Sequence, residues 1–162
     1  MTKGKQPLPK HLEWVYIYIG KNSKEVGYVG RAKNSSRVEK RVVEHRKEAW
    51  YWSEEWELKF CPCLNRCESE YLETIYINKL HAKYNKDKVG WGVMLDNLVA
   101  DLDDLPGINC ESNIYFTTYG GQLKNLLEKW EKEIKGNMLA SGDFYQKDNV
   151  VRRSELHLAK NS

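Results

Sequence analysis

The residues best suited to chemistry are a glutamate within an apolar helical stretch, an arginine and a histidine four apart, and two tyrosines on neighbouring strand-like segments. Glu73 stands among Tyr71, Leu72, Ile75, Tyr76, Ile77 and Leu80, which spread around much of a helix, so that helix is expected to be largely buried. At about 100° per residue, Glu73 shares a side with Ile77 and Leu80. A buried carboxylate is costly unless a cation or hydrogen-bond donors accompany it. Its partner is an arginine, a lysine or a divalent metal ion, and a basic side chain is the ordinary one. Arg41 and His45 are neighbours on one helix edge, where His45 borders the inner face set by Val38, Val42 and Ala49. Such a pair can grip a phosphate, the arginine by a bidentate fork and the histidine as donor or proton carrier. A solvated surface pair has the same spacing. Tyr16 and Tyr28 suit cross-strand aromatic packing. If their hydroxyls point toward Arg41, a phenol loses its proton more readily beside the cation and can activate a water.

The elements that position these residues can be read from composition and period. Trp14-Val15-Tyr16-Ile17-Tyr18-Ile19 is aromatic and β-branched, as strands prefer, and Glu25-Val26-Gly27-Tyr28-Val29-Gly30 returns after a turn cluster at 20–24. Asn34-Ser35-Ser36 offers a cap for a helix from near Arg37 to Trp50. Trp56 to Phe60 alternates like a third strand, and a second helix runs from near Glu68 to His81. The order β-β-α-β-α predicts an α+β fold, a small antiparallel sheet flanked by helices. Beyond Asn85, Met94, Leu95, Leu98, Val99, Leu102 and Leu105 keep helical spacing, and residues 114–119 read as a strand. Leu123, Leu126, Leu127, Trp130 and Ile134 form the stripe of an amphipathic helix. These segments predict a core at 12–86, a packed α/β C-terminal extension at 87–140 and a polar tail at 141–162.

The chain has 162 residues, 41% hydrophobic and 30% charged, with a formal net charge of +3. No apolar run approaches the roughly 20 residues of a membrane span, and the polar N-terminus lacks a secretory pattern, so a cytoplasmic protein is expected. The charge is unevenly placed. Residues 1–90 hold 18 Lys and Arg against 12 Asp and Glu, and the remainder hold 8 against 11. From Arg31 to Lys47 seven cations face only Glu39 and Glu44, which suits a polyanion as well as a solvated helix face. Cys61, Cys63 and Cys67 fall within seven residues, but a C-x-C step is shorter than structural zinc sites use. Buried or half-buried thiols are the better expectation.

Taken together, these segments resemble the GIY-YIG nuclease superfamily over about residues 12–86. Val15-Tyr16-Ile17 stands where the first motif would be, with Val15 in place of its glycine, and Tyr28-Val29-Gly30 matches the second with Val for Ile. Arg41-Val42-Val43-Glu44-His45 is similar to the Arg-Leu-x-x-His pattern, after a link three residues longer than usual. Leu72-Glu73 and, twelve positions on from the glutamate, Lys83-Tyr84-Asn85 match the closing motif, with Ala82 replacing a frequent proline.

The resemblance implies metal-dependent hydrolysis of DNA phosphodiesters on a GIY-YIG core. Glu73 would hold one Mg²⁺ or Mn²⁺ ion, Tyr16 would serve as general base with Tyr28 placing the nucleophile, and Arg41 would neutralise charge on the phosphate. His45 would bond a phosphate oxygen or relay a proton, and Asn85 would orient the site around Glu73. Arg31, Lys33, Arg37, Lys40 and Lys47 would follow the DNA backbone without reading sequence. The size of the extension favours a restriction-type or phage or mobile-element enzyme. One site cuts one strand, so cutting both implies a homodimer or sequential nicking. The competing readings are a non-catalytic nucleic-acid-binding module of the same fold and a zinc-stapled interaction protein. The Trp50-Tyr51-Trp52 cluster is either packing or a base-stacking surface.

Overall fold

A computed structural model describes residues 9–85, 101–111, 115 and 121–141 of the chain. Strand β1 (Glu13–Gly20) is buried at every position after the first, because helices cover both faces of the sheet at its centre. That explains its nearly unbroken apolar run, where a half-exposed strand would alternate. Strand β2 (Val26–Ala32) pairs antiparallel with β1 on one side, and β3 (Trp56–Cys63) pairs antiparallel on the other. A short β4 (Gly107–Asn109) pairs with β3, giving the order β2-β1-β3-β4. Among the described residues the architecture is α+β, a four-stranded antiparallel sheet with three helices.

Two helix starts follow one device. Helix α1 (Ser35–Glu48) begins after Asn34, whose side chain accepts from the Arg37 amide at 2.9 Å. Helix α2 (Arg66–Leu80) begins after Asn65, which accepts from Glu68 N at 2.9 Å, while the Glu68 carboxylate reaches back to Leu64 N at 2.9 Å. Each bond satisfies a donor that the first helical turn leaves open. His81, in a left-handed conformation, ends α2. Helix α3 (Gln122–Ser141) brings the expected stripe of Leu123, Leu127, Trp130 and Ile134 into the core.

The alternation of β1 sorts the core into two layers. Trp14, Tyr16 and Tyr18 face α1 and α3 with Val38, Val42, Phe60, Leu123 and Leu127. Val15, Ile17 and Ile19 face α2 with Leu72, Ile75, Tyr76, Ile77 and Leu105. Tyr71 departs from the expected buried surface of α2 and is exposed.

The third strand runs past its expected end, through Pro62 to Cys63. Phe60 N donates to Pro106 O, so the amide direction two residues on points past the end of β4, where a missing N–H costs no ladder bond. Cys61 and Cys63 are consequently buried strand residues, Cys67 is exposed on α2, and all are free thiols. Among the described residues no group of three His, Cys, Asp or Glu side chains is placed to hold a metal. Past Asn85 the chain is described again from Asp101, and Leu102–Asp104 is a 3₁₀ turn where helical spacing had been read. The expected helix before it and the strand at 114–119, Tyr115 apart, lie outside the described residues. No helix among the described residues is long and apolar enough to cross a membrane.

Gly30 lies opposite Tyr16 in the β1–β2 register, and a Cβ there would stand 2.5 Å from the tyrosine hydroxyl and Cζ. Tyr16 is fully buried and has no room to yield. Gly30→Ala is expected to lower stability by about 1–3 kcal/mol through overpacking. A urea unfolding midpoint that drops at constant m-value checks this.

Candidate active site

The edge strand β2 is where the site assembles. After α2 the chain turns along this edge, with Lys83 N donating to Val26 O at 3.1 Å and Tyr84 N to Gly27 O at 2.7 Å. Asn85 completes the clasp. Its Oδ1 accepts from Val29 N at 2.9 Å and its Nδ2 donates to Val29 O at 2.8 Å. The amide side chain thus imitates a ladder partner and covers an edge that would otherwise be unpaired. The amide expected to orient the site around Glu73 bonds the Val29 backbone instead: it holds β2, and through β2 the tyrosine at 28.

Two clefts meet at Glu73, which is 7% exposed and lines both. One, of about 470 Å³, is walled by Glu13, Arg31, Ala32, Lys33, Arg37, Arg41, Arg66 and Glu73. The other, of about 620 Å³, includes Tyr28, His45, Tyr84 and Asn85. Residues from three of the four motifs therefore reach one region of the surface, while Tyr16 of the first motif is fully buried behind it. Lys40 and Lys47 are exposed on α1 but line neither cleft.

Arg31 sits differently from its expected role on the DNA backbone. Its guanidinium lies 3.1 Å from Glu70, 3.7 Å from Glu73 and 3.8 Å from Glu13. It serves as the countercharge that a carboxylate as buried as Glu73 requires. Arg66, which sequence reasoning missed, joins the basic cleft from the first turn of α2 and bonds Glu70 at 2.7 Å. Nothing in its local sequence separates it from any surface arginine.

The Tyr16 hydroxyl accepts a hydrogen bond from Arg41. Burial pushes the phenol well above its ordinary value, Tyr28 adds to this, and the Arg41 bond only partly offsets it. The cation beside Tyr16 therefore does not release its proton in this setting, because desolvation of the phenolate is the larger effect. Arg41 itself stays half exposed, with Glu44 4.0 Å away. Its guanidinium is anchored at one end and open to the cleft.

His45 has a partner that sequence reasoning did not name. Tyr18 hydroxyl lies 2.6 Å from His45 Nδ1. The signal was present in the alternation, since Tyr18 follows Tyr16 by two and so shares its face. Burial first, then Arg41, lowers the His45 pKa below 6.5, so the ring is neutral at neutral pH. With Nδ1 donating to Tyr18, Nε2 offers a lone pair; in the other tautomer Nε2 donates. Tyr28 packs edge-on against His45 at 5.1 Å.

Comparison of the chain with protein-family models, with curated proteins and with solved structures gave no match.

A depressed histidine binds its proton more weakly folded than unfolded. The stability it contributes is whole above pH 6.5 and declines as pH falls through the lower, folded value. A ¹H–¹⁵N or ring-proton NMR titration of His45 is expected to give a midpoint below 6.5. Tyr18→Phe should perturb that midpoint more than Tyr71→Phe, which removes an exposed hydroxyl elsewhere.

Proposed function

We propose that the chain is a metal-dependent DNA endonuclease of the GIY-YIG kind. The observation that carries this reading is Glu73 standing as the common wall of a basic cleft and of a cleft lined by Tyr28 and His45. Basic side chains at Lys33, Arg37, Arg41 and Arg66 suit a phosphate backbone, and the second cleft supplies neutral groups able to place and deprotonate a water.

Glu73 fits a hydrated divalent ion as its single carboxylate ligand. Mg²⁺ keeps several waters and needs only one or two carboxylates, so a crowded acidic cluster is unnecessary. Mg²⁺ or Mn²⁺ held there supplies Lewis-acid polarisation of a phosphate oxygen. Arg31, 3.7 Å from the Glu73 carboxylate, orients it. Arg41, anchored by Tyr16, stabilises the charge that grows on the phosphate in the transition state.

The tyrosine and histidine roles are redistributed relative to the sequence expectation. Tyr16, fully buried and protonated, positions Arg41. His45 lines the cleft as a neutral imidazole held by Tyr18, and in the tautomer whose Nδ1 donates to the Tyr18 hydroxyl its Nε2 accepts the proton of the attacking water. Tyr28, beside it, places that water. A restriction-type or mobile-element enzyme remains the preferred setting, acting on both strands as a homodimer or by sequential nicking.

A plasmid-nicking assay with Mg²⁺ tests the reading. Glu73→Gln is expected to abolish cleavage while the fold persists, and Arg41→Ala to slow it by about 10²–10³-fold, as for loss of a transition-state donor. The rate should rise with pH through the lowered His45 pKa and then level off, since only the neutral ring acts as base. A rate that keeps climbing into the alkaline range would move the base to Tyr28. No cleavage of any of several DNAs with either metal would leave the non-catalytic nucleic-acid-binding module.

A further inference from the structure

The cleft beside His45 has more aromatic surface than proton transfer needs. Tyr51 and Tyr84 lie face to face, ring centroids 4.6 Å apart and 6° from parallel. Tyr28 continues the row behind Tyr51 at 6.0 Å and 23°. Trp50 stands edge-on to Tyr84 at 5.2 Å and is 81% exposed. Packing accounts for the tyrosines, which are half-buried, but not for a tryptophan held at the rim and so largely exposed.

These rings line the same cleft as Glu73, and Glu73 also walls the basic cleft. A strand whose phosphate sits between the two would carry its neighbouring base toward Trp50 and Tyr84. About 620 Å³ is within the range of sites that take a small ligand and has room for one base with its sugar. Aromatic faces accept any base, because every base has a π-face. A base inside a duplex has both faces already stacked and cannot use the platform.

We propose that this cleft receives one unpaired nucleobase adjoining the cleaved phosphate, with Trp50 as its stacking surface, so that the preferred substrate is DNA that is single-stranded, frayed or flipped at the cut. The proposal rests on the endonuclease reading for the identity of the phosphate. The Tyr51 hydroxyl, whose pKa burial pushes up to about 12, stays protonated and can bond a base edge.

The full chain is titrated in EDTA with fluorescein-labelled oligothymidylate and with an abasic strand of equal phosphate number, read by anisotropy. Wild type is expected to bind the thymidylate strand roughly tenfold more tightly, the lower part of the range for one stacked base. Trp50→Ala should remove most of that advantage and leave abasic affinity unchanged, and Trp50→Phe should restore part of it. Equal wild-type affinity for the two strands, or a difference that survives in Trp50→Ala, overturns the proposal. Because no metal is present, the result is separate from failure of the endonuclease reading, which shows instead as absent Mg²⁺-dependent nicking.

Discussion

The ring of Tyr16 fills the space that a side chain at Gly30 would need, and its hydroxyl reaches across to Arg41. That one approach joins the three parts on which everything else rests. It needs β1 and β2 in their observed register, since Tyr16 and Gly30 are direct partners. It needs a glycine, since any Cβ would enter the phenol. It also brings α1 to the sheet at one fixed rotation, because Arg41 bonds Tyr16 on one edge while Val38 and Val42 enter the core on the next. His45, one turn beyond Arg41, then falls beside Tyr18 and Tyr28. The polar site is a by-product of how a buried strand and a helix lock together.

The electrostatics divide along β2. On the α2 side, Arg31 is surrounded by Glu13, Glu70 and Glu73, which is an internal neutralisation with little field left for a distant partner. On the α1 side, Lys33, Arg37 and Arg41 line the same cleft as Arg31, and Glu44 lies 4.0 Å from Arg41. The cationic excess between 31 and 47 is therefore not one surface. Arg31 is held by three carboxylates and Arg46 lies 3.7 Å from Glu54, while Lys33, Arg37 and Arg41 reach the cleft.

Local signals carried well. The Asn34 cap, the hairpin, the two helices of the first half and the apolar stripe of α3 all follow from period and side-chain chemistry within a few residues; the Asn65 cap uses the same chemistry, though sequence reasoning missed it. Tyr16, Tyr28, Arg41, His45 and Glu73 stand out by residue type and spacing and Asn85 by the family resemblance, and the structure places them on or beside the edge strand β2. What escaped depends on contacts far apart in the chain. Pro62 looks like a strand breaker until the neighbour's end is known, and Gly107–Asn109 is too short to show a period. Arg31 is one cation in a basic stretch until the fold sets three carboxylates around it. Tyr16 seemed poised for ionisation because a cation adjoins it, but local sequence carries no measure of how completely water is removed.

The clasp at Asn85 closes a loop on Val29 that spans 56 residues. Loops of that length close late, since their entropy must be offset by contacts that exist only once both ends are formed. β1, β2 and α1 can associate as soon as they are made, whereas the clasped edge of β2 waits for α2 and the segment that follows it. A nascent chain would thus pass through a stage that already carries Lys33, Arg37 and Arg41 but has neither Glu73 nor the clasp beside it. The meeting point of the two clefts is the last part of the molecule to be assembled.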